Sequence, residues 1–280
     1  DSLKKDTIGF VFGGDVFAVS PFWGQLLECG QKYALKHDLG FRYYLDIPDS
    51  GKSIPTHGDL IGDLENKRLN AIVVLSPQNN DQVQWLQQWN LPTVVLDQEH
   101  VCKYKAFFDH ACFIAIAVEE LAKAGCKRIG FLGSTFASAN QVFIDALTKE
   151  GLAYDRALHW DISWCGSLVQ HESFEQFASN LLDKAFPSTQ PDGLVISDDT
   201  MARGAMIALL RQGVFPGRDI KMAVASNKGS SVLQPYEGDL ILIEHDPAEL
   251  IEQVMQIIEQ LLREEEPPEP VIMVKPTVRR

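Results

Sequence analysis

Residues 191–204 read Pro191-Asp192-Gly193-Leu194-Val195-Ile196-Ser197-Asp198-Asp199-Thr200-Met201-Ala202-Arg203-Gly204. Residues 193–197 form a short apolar run of strand length. Residues 200–211 then repeat their apolar positions with a helical period and stop at Gly213. A buried strand feeding an amphipathic helix is the building block of a parallel sheet. The same alternation extends in both directions. Upstream strands are expected at residues 8–12, 41–47, 71–75, 93–96, 104–108, 128–132 and 159–163, with helical patterns between most of them. One of these helices should open with Ser20 as cap and Pro21 at its first position. Downstream, residues 221–225, 240–243 and 271–274 read as strands. The clearest helix spans residues 247–263, where Leu250, Ile251, Val254, Ile257, Ile258 and Leu261 recur at i, i+3, i+4 spacing.

The pattern therefore restarts midway and gives two successive α/β halves, with one late helix returning to the first. The expected fold is α/β, with two Rossmann-like parallel-sheet subdomains, a hinge and a ligand cleft between them. One subdomain is expected to take residues 1–134 plus 246–268, the other residues 135–245 plus 269–280. Ligands of such folds collect at the carboxyl ends of strands, and hinge closure is the usual motion.

The 280 residues are 45% hydrophobic and 22% charged, which excludes a disordered chain. The net charge of −13 does not suit wrapping around phosphates, where basic residues must displace counterions. No run approaches the ~20 apolar residues of a membrane span, and the opening residues lack the apolar core of a signal peptide. The chain opens on Asp1 rather than Met, which reads as a processed or excised piece. Five scattered cysteines form no C-x-x-C pair and read as thiols of a reducing cytoplasm. Gly13-Gly14 lacks the rest of a phosphate loop, and neither G-x-S-x-G nor H-E-x-x-H occurs. No enzyme activity, cofactor or metal is expected.

Candidate ligand contacts are the polar and aromatic residues that end strands or open helices. Asp199 either caps a helix with its neighbour Asp198 or faces the ligand, and the two carboxylates can divide these tasks. Asp109 has the same choice. Phe22 and Trp23 either cover a helix start or wall a ligand's flat face. Asp15 and Trp164 follow strands. His245 lies where the chain crosses back between halves and either bonds to backbone or reaches the ligand. Arg203 is expected to point to solvent or to an Asp.

Several strings, in order, resemble the effector-binding core of the LacI/GalR family of transcription regulators. They are residues 2–9, Ser20-Pro21-Phe22-Trp23, residues 91–97, residues 125–133, the stretch 191–204 quoted above, and residues 274–280. Together they cover essentially the whole chain. The resemblance implies a periplasmic-binding-protein-like core of a cytoplasmic homodimer. It further implies operator DNA bound through a headpiece absent from these residues, and a small-molecule effector controlling that binding. The family's effector-clamping Arg has no counterpart in residues 137–141, and Ser226 or Asn227 stands where an Asp is usual. The expected effector is therefore a neutral sugar or polyol, held by Asp15, Phe22, Trp23, Asp109, Trp164, Asp199, Asn227 and His245. The alternative is a sugar-binding protein of a transport system.

Overall fold

The computed structural model describes residues 5–13, 21–45, 58–77, 79–133, 138–161 and 173–279. The chain begins β1 (Thr7–Phe12), α1 (Phe22–Lys36), β2 (Gly40–Leu45), α2 (Gly58–Glu65), β3 (Ala71–Leu75), α3 (Asn80–Gln87), β4 (Thr93–Leu96) and β5 (Tyr104–Phe108). It continues α4 (His110–Lys123), β6 (Ile129–Gly133), α5 (Ala139–Lys149), β7 (His159–Asp161), α6 (Phe174–Thr189), β8 (Gly193–Ile196), α7 (Asp199–Arg211) and β9 (Lys221–Asn227). It ends β10 (Ile241–His245), α8 (Pro247–Leu262), β11 (Val271–Val274) and β12 (Thr277–Val278).

Two six-stranded sheets result, ordered β11-β5-β4-β3-β1-β2 and β12-β10-β9-β8-β6-β7. Every pairing is parallel except that of β12 with β10. The central strands β3, β4, β6 and β8 are buried along their whole length. Parallel strands covered on both faces need continuous apolar runs, and these sequences supply them. The stripe of α8, with Leu250, Val254 and Ile258, packs into the core of the first sheet beside Phe10, Phe12, Val73 and Leu75. Each such side chain contributes roughly 1.5–3 kcal/mol when fully buried.

The chain divides into one unit of residues 1–108 with 247–274, and a second of residues 109–246 with 275–280. This corrects the boundaries expected at residues 134 and 268. Residues 109–134 belong to the second unit because Phe113, Ile114, Ala117 and Leu121 of α4 share a core with Phe131, Ala223 and Ile243. Residues 271–274 stay with the first unit because β11 extends its sheet alongside β5.

Smaller differences have local causes. Helix α1 starts at Phe22, with Pro21 at the N-cap position and no side-chain cap. The expected cap Ser20 lies outside the described residues. Helix α6 runs on through Pro187 to Thr189, where the Ser188 and Thr189 hydroxyls donate to Ala185 O. The short β12 had no sequence expectation; two residues are too few to show a period. Helices α4 and α7 are followed by Gly125 (φ 92°) and Gly213 (φ 74°), the left-handed stops that only glycine adopts freely. Among the described residues no helix is long and apolar enough to cross a membrane.

Candidate functional site

In the second unit, Asp199, Asn227 and His245 lie at the carboxyl ends of the adjacent strands β8, β9 and β10. Asn227 ends β9 directly opposite His245, which ends β10. Asp198 and Asp199 join β8 to α7, and Asp109 precedes α4.

The two neighbouring carboxylates divide their tasks. Asp198 Oδ1 accepts from the backbone N–H groups of Thr200 at 2.8 Å and Met201 at 3.0 Å, and from the Thr200 hydroxyl. It is the cap of α7. Asp199 is 2% exposed, and its Oδ2 accepts from Ser230 Oγ at 2.8 Å. Its Oδ1 is buried and has no hydrogen-bond partner among the described residues. Burial, followed by the neighbouring Asp198 charge, pushes its pKa up to about 6, against the smaller opposing effects of Ser230, the Thr200 N–H and Asn227. Asp109 caps α4, accepting from Cys112 N at 2.9 Å.

His245 is buried, with its ring 5.6 Å from His110 and 6.1 Å from Phe113. Burial, with a contribution from His110, lowers its pKa to about 3, so the ring is neutral near pH 7. The sign of the consequence is fixed. An imidazole whose folded pKa lies below its unfolded value stabilises the fold above ~6.5, and that stability is lost as pH falls through 6.5 towards 3. Between pH 7.5 and 5 the loss is about 2 kcal/mol from this group. His245→Phe should flatten that part of the pH dependence in urea titrations; an unchanged slope would remove His245 as its source.

In the first unit, Phe22 and Trp23 open α1 and join an aromatic group at the ends of β1 and β5. The Trp23 ring meets Phe12 edge-on at 6.1 Å, and Phe22 lies 5.8 Å from Phe108. Both are partly buried against the core, so they cover the helix start and retain some exposed surface. Asp15 and Trp164 lie outside the described residues. Ser76, after β3, has φ of 47°, a left-handed conformation that is uncommon for serine.

The structure adds groups that the sequence reading missed. Lys228 follows Asn227 and pairs with Asp246 at 2.8 Å, so a cation does stand beside these strand ends. Its signal was only its place after β9. Arg203 keeps part of its side chain in solvent, as expected, and pairs with Glu175 at the start of α6 rather than with an Asp. A groove of about 790 Å³ lies in the first unit between α1, β2 and α2, and none of the described expected site residues is on its lining. On its lining, Asp63 accepts from Tyr44 OH at 2.6 Å and from Arg42 and Arg68. These bonds, Tyr44's first, outweigh burial and hold its carboxyl below the usual range.

The sequence profile of the periplasmic binding protein-like domain matches residues 118–280, more than half of the chain. The chain belongs to that family. Comparison with curated protein sequences finds no match. Solved structures that share the fold include the transcription regulator CcpA of Lactococcus lactis. It is 15% identical, with a TM-score of 0.78 over 99% of this chain and 98% of that one. The transcriptional regulator CelR in complex with cellobiose is 19% identical, with a TM-score of 0.76 over 99% and 85%. The Lac repressor bound to ONPG is 16% identical, with a TM-score of 0.77 over 100% and 82%.

For this periplasmic binding protein-like chain, the strand ends offer binding chemistry. Asp109 and Asp198 each accept from backbone N–H groups, and Asp246 pairs with Lys228. Among the described residues no three His, Cys, Asp or Glu side chains form a metal-binding group. Burial raises the thiol pKa values of Cys102, Cys112 and Cys126, away from nucleophilic thiolates.

Proposed function

We propose that this chain is the ligand-sensing core of a LacI-type transcription regulator. It binds a neutral sugar or polyol and thereby controls DNA binding by a headpiece outside these residues. The carrying observation is the likeness over nearly the whole chain to CcpA, CelR and the Lac repressor, together with the family match. One of those structures holds cellobiose and another holds ONPG. The reading assigns ligand contacts to Asp15, Phe22, Trp23, Asp109, Trp164, Asn227 and His245, with Asp199 beside them. The ligand draws residues from both units and acts by favouring one arrangement over another. Capped and paired carboxylates support a neutral ligand, since a buried anion would need a cation not already engaged. The reading is of a cytoplasmic homodimer that binds rather than catalyses. Transport-linked sugar binding is the second reading, favoured by the family's own description.

A thermal-shift series with cellobiose, lactose, ribose, glucose and sugar phosphates tests the proposal. At 100 times its dissociation constant, a true ligand adds about 2.7 kcal/mol of stability. A response confined to the anionic sugars would overturn the neutral-ligand reading. A neutral response lost on mixing with the chain's own operator fragment in the full-length protein, or the reverse, would separate regulator from transport protein.

A further inference from the structure

Two buried polar atoms on one face of α7 lack protein partners among the described residues. They are the acceptor Asp199 Oδ1 and the donor Arg203 Nε. The residues are four apart, so their side chains are neighbours on the helix surface, with Cβ atoms ~5–6 Å apart. Each is fixed from its far side. Asp199 Oδ2 is held by Ser230 Oγ, and Arg203 Nη2 is held by Glu175. Arg203 therefore cannot swing its fork onto Asp199 without leaving Glu175. Gly204 lies so close to α6 that a Cβ there would meet Glu175 O at 2.0 Å.

An orphaned buried acceptor beside an orphaned buried donor is costly unless a third group serves both. Only a group that donates and accepts at once fits. A metal ion would be repelled by the guanidinium, and an anion by Asp199 and its neighbour Asp198. We propose that Asp199 and Arg203 together bind one hydroxyl group, which donates to Asp199 Oδ1 and accepts from Arg203 Nε–H. The hydroxyl belongs either to an enclosed water or to a bound polyol. Ser230 and Asn227 approach the Asp199 carboxyl and Glu175 pairs with Arg203, while Asp199 Oδ1 and Arg203 Nε keep no hydrogen-bond partner among the described residues. The pair deepens the sugar reading by naming one contact, and it stands without that reading if the occupant is water.

High-resolution crystal structures of the 280-residue chain, grown without sugar and with cellobiose, test it. The expected result is a density peak within ~3.2 Å of both atoms. A peak in both crystals identifies water; a peak only with cellobiose, continuous with the sugar, identifies a ligand hydroxyl. No peak in either, or a direct Asp199–Arg203 bond, would overturn the proposal. Arg203→Met should lose the peak, because it removes the donor, whereas Asp199→Asn should keep it, because an amide oxygen still accepts. Failure of cellobiose to bind would count against the sugar reading and leave the sugar-free crystals to decide this one.

Discussion

Gly204→Ala should unfold the second unit at a temperature well below that of the parent chain. The three atoms that a Cβ would meet are all backbone: Glu175 O at 2.0 Å, C at 2.8 Å and Cα at 2.9 Å. No rotamer change can relieve a clash with main chain, so α6 and α7 must separate. Their shared core holds Phe177, Ala178 and Leu182 against Met201, Ala205 and Ala208. Separation also breaks the Arg203–Glu175 pair. Overpacking usually costs 1–3 kcal/mol, and this immovable contact belongs at or beyond the top of that range, so ~3 kcal/mol or more is expected. At ~2–4 °C per kcal/mol, Tm should fall by roughly 6–12 °C. Gly24→Ala is the control. Gly24 lies within α1 and a Cβ there meets nothing within 4 Å, so alanine should stabilise by ~0.5–1 kcal/mol. Urea titrations followed by circular dichroism read both. A Gly204→Ala stability within ~1 kcal/mol of the parent would refute the tight α6–α7 approach.

The requirement for glycine at residue 204 shows what the linear sequence conceals. Strands such as β3 and β8 were legible because burial on both faces demands uninterrupted apolar runs. Helix α8 was legible because its stripe repeats over four turns. The division between units was not. Phe108 and Asp109 are adjacent in sequence yet fall in different units, and only the packing of Phe113 and Leu121 against Phe131 and Ile243 reveals it. The candidate site was legible as a class of positions, since strand ends and helix starts can be read from sequence. The roles were not, because whether a carboxylate caps or faces inward depends on local backbone conformation and on the neighbours the fold brings to it. Asp198 and Asp199 are chemically identical neighbours, and the structure gives one the cap and buries the other. Likewise the pairing of Lys228 with Asp246 joins residues eighteen apart, which no local spacing announces.

Asp199→Asn should stabilise the folded chain at pH 8 and do so much less at pH 4.5. The carboxyl is 2% exposed, and its pKa is raised to about 6 chiefly by burial. The folded state therefore holds the proton more tightly than the unfolded chain does. Stability from this group is present at low pH and is lost as pH rises from the unfolded value near 4 through 6. At pH 8 the ionised carboxylate costs about 3 kcal/mol, and at pH 4.5 about 1 kcal/mol. An amide keeps an acceptor for Ser230 and never ionises, so the variant's advantage should grow by about 2 kcal/mol between the two pH values. Urea titrations of both proteins at pH 4.5 and 8 measure it. Equal advantages at the two pH values, or a larger one in acid, would show that the burial cost has been misassigned. A residue kept at such a cost, when an uncharged isostere would relieve it, points to work that needs the charge. That work is hydrogen bonding to the hydroxyl it shares with Arg203, in which a carboxylate accepts more strongly than an amide. The same variant should therefore gain stability while weakening any sugar that supplies the hydroxyl, and the two effects together separate a binding carboxylate from a merely buried one.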